Sequence, residues 1–372
     1  MRNLPVCAVL LFTACTAPTD DRASLDRAAE PWTLAEARYD ASNGIRVLVV
    51  HDMEGLVDQT NPSTYIFGRP EYGHGQELLA ADLNAVIDGL YAGGATELHV
   101  VDGHGSGNPE PDVRSDLLDE RALQIIRQEP FDTYFDLVTL DAYDAVAVVG
   151  MHAKSQSGGY AAHTWTLGME FIINGSSITE TELLGLSWGR ARIPVIFASG
   201  DDKLRENLES MPWIEYVTVK TAVHPDYAVL RPADEARADL TAGASRAVRK
   251  LLTGEAMAME VATPITVEFG ARPPASVAIL EGVPGVQFND SRVMFVADSM
   301  RQAFDGLQAL SNVATRHYAG LLFETVASRS DGAEILDAFN RALERRWFEV
   351  ESGQYQEPRR EPPPGMKHHG YH

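Results

Sequence analysis

Two carboxylates, Asp52 and Glu54, stand in "HDMEGLVDQ" directly after the apolar run "IRVLVV". In extended chain, side chains two residues apart point to the same side, so an Asp-x-Glu pair leaving a strand presents both acids together. Two more apolar runs lead into a metal-competent residue. "ELHVVD" runs into His104 of "DGHGSG", and "AVAVVG" runs into His152 of "GMHAKS". Imidazole with carboxylate is the donor set of catalytic zinc and its relatives. Taken singly, each residue reads as a solvated turn acid or a hydrogen-bonded loop histidine. Three segments ending in the same way are what point to a site.

Two further residues extend the set. His163 in "AAHTW" lies eleven residues after His152, across "SQSGGY", whose glycines suit a loop folded over a site. Glu180 in "ITETELL" opens a helix, where it either turns back as a ligand or complements the positive end of the helix dipole, with Glu182 as its competitor. His51, His74, His99, His224 and His317 have no partner pattern and read as structural or exposed, His74 of "EYGHGQ" being the one nearest a glycine-flanked loop.

These residues need a frame. "IRVLVV" (45–50), "ELHVVD" (97–102), "AVAVVG" (145–150), "EFIIN" (170–174), "IPVIFASG" (193–200) and "EYVTVK" (215–220) read as strands. Helices are expected near 75–94, 114–127, 179–191, 202–209 and 232–253. Short Val- and Ile-rich strands separated by helices specify an α/β fold with a mostly parallel sheet flanked by helices. Ligands of such sheets bind beyond the carboxyl ends of the strands, where the three motifs lie. Beyond residue 256, "ITVEFG", "SVAIL" and "SRVMFVAD" alternate like a small antiparallel addition, followed by helices over 299–313 and 314–350, which makes a mixed α+β C-terminal subdomain.

The 372 residues, 45% apolar, can bury a large core. With 31 basic against 53 acidic side chains the net charge is −22, which repels phosphate backbones and argues against nucleic acid as a partner. "MRNLPVCAVLLFTAC" has Arg2, a short apolar stretch and small residues, the pattern of a secretory signal too short to span a bilayer. "FTAC" resembles the bacterial lipobox, which makes Cys15 an expected lipid anchor and the chain an exported protein of the cell envelope; the other reading is a plain cleaved signal. Cys7 and Cys15 are the only cysteines, so a metal in the folded part rests on His and acids. The expected order is a leader over 1–15, a tether over 16–43, an α/β core over 44–255, the C-terminal subdomain over 256–350 and a Pro/His-rich disordered tail over 351–372.

"VVHDMEG", "VDGHGS", "GMHAKSQSGGYAAHTW" and "INGSSITETELLG", in this order, resemble the M55 family of binuclear zinc D-aminopeptidases, and the likeness runs from about Ile45 to Val313. The resemblance implies two zinc ions per subunit, held by Asp52, Glu54, His104, His152 and Glu180, with Asp52 bridging and His163 as the catalytic residue. It implies hydrolysis of short peptides or amides with an N-terminal D-residue such as D-Ala, and a homo-oligomer that forms rings. Gly103 stands where the family has serine, and Thr164 follows the catalytic histidine where serine is common; neither change removes a ligand. Three other functions fit parts of the sequence. One is another metal-dependent amidase, and one is a lipid-anchored metal- or solute-binding protein. The third is a serine hydrolase built on "GLSWG" around Ser187, but that motif requires a strand before the serine, and here it falls within a helix.

Overall fold

The computed structural model describes residues 30–127, 131–137 and 143–356. The leader with Cys7 and Cys15, and the tail from 357 with His368, His369 and His372, lie outside these residues. The chain begins with β1 (Thr33–Glu36), β2 (Arg46–His51), α1 (Tyr72–Gly93), β3 (Glu97–Asp102), β4 (Ala122–Gln124) and β5 (Ala145–Val149). There follow β6 (Met169–Ile173), β7 (Ser176–Ile178), α2 (Glu180–Gly189), β8 (Val195–Asp201), α3 (Asp202–Asn207), β9 (Glu215–His224), β10 (Tyr227–Leu230) and α4 (Ala233–Leu252). The last part holds β11 (Met257–Glu260), β12 (Ile265–Ala271), β13 (Gln287–Asn289), β14 (Arg292–Ala297), α5 (Met300–Ala314), α6 (Tyr318–Ala327) and α7 (Gly332–Glu351).

The central sheet has the order β10-β9-β8-β5-β2-β3-β4 and is parallel except at the β10 edge. β5 is buried throughout and β2 from Val47 onward, as strands covered on both faces must be. From β2 the chain passes through α1 to β3 on one side; from β5 it passes through α2 to β8 on the other. Right-handed crossovers therefore put α1 and α2 on opposite faces. The neighbours β2 and β5 form the switch point of the sheet, where diverging loops leave a crevice. α4 returns to pack on α1, while α2 packs on β8 and β11.

Several expectations are corrected. Residues 114–127 form turns and the edge strand β4, not a helix: Asp119 accepts the Arg121 N–H in a local turn, and Ala122–Gln124 pair with β3. Part of the expected tether is ordered, with Trp32 buried and β1 paired to β11 more than 200 residues away in sequence. "SVAIL" contains a short helical turn, Ala278–Leu280, and the third strand of that region is β13. The C-terminal sheet, β13-β14-β12-β6-β7, draws β6 and β7 from before residue 255, so its pairing crosses the expected boundary. α6 and α7 bear out the helical reading of 314–350 and leave Leu321, Phe323, Phe339 and Trp347 exposed. Among the described residues no helix is long and apolar enough to cross a membrane.

Candidate metal centre

The loop after β2 is tied across the end of β5: the Asp52 N–H donates to Val149 O (2.8 Å) and the Gly55 N–H to Gly150 O (2.7 Å). Both glycines are required by this crossing. A Cβ on Gly55 would lie 2.0 Å from Met151 O, and Gly150 has φ +74° with Asp52 O 2.4 Å from where its Cβ would be. After β3, Asp102 turns the chain, one oxygen accepting the His104 N–H (2.8 Å) and the other the Asp112 N–H (2.6 Å). Glu180 is the first residue of α2, and the helix start decides between the two glutamates. Thr179 Oγ1 accepts the Glu182 N–H (3.0 Å), Glu182 Oε2 accepts the Thr179 N–H (2.8 Å), and Ser210 donates to Glu182 Oε1 (2.6 Å). This reciprocal cap occupies Glu182 and leaves Glu180 facing the cavity.

All six residues singled out in the sequence line one cavity of about 460 Å³. His104 Nδ1 lies 2.7 Å from Asp52 Oδ1 and 3.2 Å from Glu54 Oε2. His152 Nε2 lies 3.3 Å from Asp52 Oδ2 and 3.5 Å from Glu180 Oε1. The far nitrogens meet main-chain carbonyls, His104 Nε2 at Tyr65 O (2.8 Å) and His152 Nδ1 at Ala153 O (3.0 Å). A carbonyl only accepts, so each far nitrogen carries the proton, and in the neutral ring the inner nitrogen aims a lone pair at the carboxylates. Burying three acids against two such lone pairs is costly without cations, so the donor set fits divalent metal. Donor atoms of Asp52, Glu54 and His152 lie within 4.8 Å of one another, as do those of His152, His163 and Glu180.

Protons supply the positive charge in the metal-free chain. Burial and the neighbouring Glu54 push the Asp52 carboxyl up to about 7. Burial alone would raise Glu54 too, but His104 outweighs it and holds that carboxyl well below its ordinary range. Burial disfavours charge on both of these histidines, yet Glu54 and Asp52 raise His104 well above the usual imidazole range, and Glu180 and Asp52 raise His152 to about 9. His163 moves the other way, lowered by burial and by the cationic His152. Its ring stacks on that of His152 with centroids 3.8 Å apart and planes at 14°, and its Nδ1–H donates to Ala161 O (2.7 Å).

Sequence reasoning missed the groups that orient Glu180. The Tyr134 hydroxyl donates to Glu180 Oε2 (2.9 Å), and the Trp165 N–H donates to Glu180 Oε1 (2.7 Å) from a left-handed backbone at φ 69°. Tyr134 is remote in sequence, and a main-chain N–H has no residue type to read. The Ser187 hydroxyl donates to Leu183 O one turn back within α2 and is buried, as befits a helical serine rather than a nucleophile. His74 is exposed on α1 beside Glu77 and does not line the cavity.

The family model for M55 peptidases, described as D-aminopeptidase, matches residues 45–309, well over half of the chain. The chain belongs to the M55 peptidase family. This M55 chain is therefore a hydrolase, a metallopeptidase. The D-aminopeptidase of Bacillus subtilis (strain 168) is 23% identical over 276 residues, covering 71% of this chain and 96% of that protein. Among solved structures, the "Zn-dependent D-aminopeptidase DppA from Bacillus subtilis, a self-compartmentalizing protease" superposes with a TM-score of 0.63 at 20% identity, covering 73% of this chain and 98% of that one. Helices α6 and α7 lie beyond the matched M55 residues.

Proposed function

We propose that this chain is a zinc-dependent D-aminopeptidase whose Asp52, Glu54, His104, His152 and Glu180 hold two ions, with His163 as the catalytic residue. The observation that carries this reading is the pair of histidines pinned at their far nitrogens to carbonyls, with their inner nitrogens facing three buried carboxylates. Zinc is supported by the nitrogen and oxygen donor set, and by the zinc dependence named for the Bacillus subtilis protein. When bound, such a pair polarises a peptide carbonyl and makes water nucleophilic near neutral pH. The protein's own residues do the rest. Asp52 spans the two halves of the site, Oδ1 toward His104 and Oδ2 toward His152. His163, anchored through Nδ1–H and with its protonated form disfavoured, keeps Nε2 free to take a proton from the attacking water and hand it on to the leaving amine. Tyr65, Ile66, Trp165 and Leu167 wall the cavity, whose volume suits a short peptide.

The substrate we infer is a short peptide or amide with an N-terminal D-residue such as D-Ala. The leader with Cys15 supports a lipid-anchored protein of the cell envelope. Ring assembly is supported by the self-compartmentalizing relative. The test is hydrolysis of matched D-Ala and L-Ala dipeptides and amides by residues 16–372, with and without chelator. Chelator-sensitive cleavage confined to the D series is the expected result. Cleavage of neither series by metal-loaded protein would move the assignment to another amide or to a binding role.

A further inference from the structure

Lys220 on β9 has no solvent exposure, although lysine is among the residues least often fully buried. Its ammonium donates to two main-chain carbonyls, Glu54 O and Gln59 O, at 2.6 Å each. It also lies 3.5 Å from Gln59 Oε1 and 4.5 Å from the centroid of the Tyr160 ring. β9 stands three places from β2 in the sheet, so the side chain reaches a loop that has crossed the carboxyl edge over β5 and β8. Other bonds hold the same loop. The Val57 N–H donates to Asp82 Oδ2 of α1 (2.7 Å), the Gly55 N–H to Gly150 O after β5, and the Gln59 side-chain amide to Met53 O (3.2 Å).

Burial disfavours the charged form and lowers the Lys220 ammonium to about 7, and an apolar side chain of equal length would fill the space without that cost. What the lysine supplies is bonds to carbonyls of the residues on and after the ligand motif. Glu54 offers its carbonyl to Lys220 and its carboxylate to His104, so the bond to the first fixes the origin of the second.

We propose that Lys220 is a positioning residue for the metal centre, holding the backbone at Glu54 so that the Asp52 and Glu54 carboxylates are set for the ions before they bind. The proposal rests on the metal centre inferred above. It predicts that Lys220→Met lowers zinc affinity about 10- to 100-fold, the cost typical of losing a group that orients a ligand. Affinity is read by competition against a chromogenic chelator, with no substrate present. At saturating zinc the same variant loses kcat on a D-alanyl amide with little change in KM, and Lys220→Arg, which keeps donors for both carbonyls, recovers part of both losses. Parental zinc affinity and kcat in a folded Lys220→Met overturn the proposal, as does a lowered melting temperature with affinity intact. If Lys220→Met does not fold, Lys220→Gln carries the same comparison, and failure of both to fold makes Lys220 a residue of the fold alone and overturns the proposal. A parent chain that binds no zinc refutes the metal centre itself, an outcome distinct from all of these.

Discussion

His163→Ala separates a catalytic role from a ligand role that lies within reach of the same atoms. A donor nitrogen of His163 falls within 4.8 Å of donors on His152 and Glu180, close enough for a shared ion. The stacking argues otherwise. Face-to-face rings at 3.8 Å and 14° hold their in-plane lone pairs in two separate, nearly parallel planes rather than aiming them at one point. The five other residues already supply donors on both sides of Asp52. Removing the imidazole should therefore leave zinc content unchanged. The rate should fall about a hundred- to ten-thousand-fold, the usual contribution of a positioned acid or base and equal to roughly 2.7–5.5 kcal/mol of barrier. The loss should appear in kcat, because the proton moves only as the bond breaks. The assay pairs initial rates on a D-alanyl amide with zinc per chain by atomic absorption after gel filtration. Loss of zinc together with turnover would make His163 a ligand and refute the reasoning, and an unchanged rate would remove it from the chemistry.

Other outcomes follow from the same geometry. Tyr134→Phe removes a buried donor to Glu180 while the Trp165 N–H remains, so zinc affinity should drop about tenfold, the lower end for a supporting residue, as read by chelator competition. Apparent zinc affinity should fall as the pH is lowered: the ions must displace a proton from His104, which is held well above the usual imidazole range, one from His152 below about 9, and a further one from Asp52 below about 7. Equal affinities at pH 6, 7 and 8 would contradict those shifts. Glu182→Ala should cost about 1 kcal/mol of stability through the lost cap and leave zinc content intact, whereas Glu180→Ala should remove zinc; denaturant melts and metal analysis distinguish the two.

The strand ends were legible because parallel strands covered on both faces are nearly continuous apolar runs, and the acids or histidines of the site follow within a few residues. The likeness to a known family then sharpened which residues mattered. Glu180 and Glu182 are two acids in one helical turn, but Thr179-x-x-Glu182 has the capping-box spacing, a cue in the sequence that assigns Glu182 to the cap, and the bonds at the helix start form that cap. β1 and β4 carry no cue of this kind. Neither "TLAE" nor "ALQ" has a strand-forming composition, and each is extended because an edge of β11 or β3 supplies its hydrogen bonds. Lys220 gives no such signal, because a lysine in "EYVTVKTAVH" looks like the solvent side of a strand and its true surroundings depend on a loop more than 150 residues earlier.

The place of Asp52 follows from the topology rather than from local sequence. β2 and β5 are hydrogen-bonded neighbours whose chains leave in opposite directions, so a residue just past β2 has the loop of β3 on one side and the loop of β5 on the other. Asp52 is that residue. Its two oxygens face His104, from beyond β3, and His152, from beyond β5, and the remaining acids fall one to each side, Glu54 with His104 and Glu180 with His152. A carboxylate has two oxygens for this division, whereas a histidine at position 52 could serve one side only. In the proposed centre the shared acid therefore belongs at the switch point, while ligands that serve a single side can come from loops farther out.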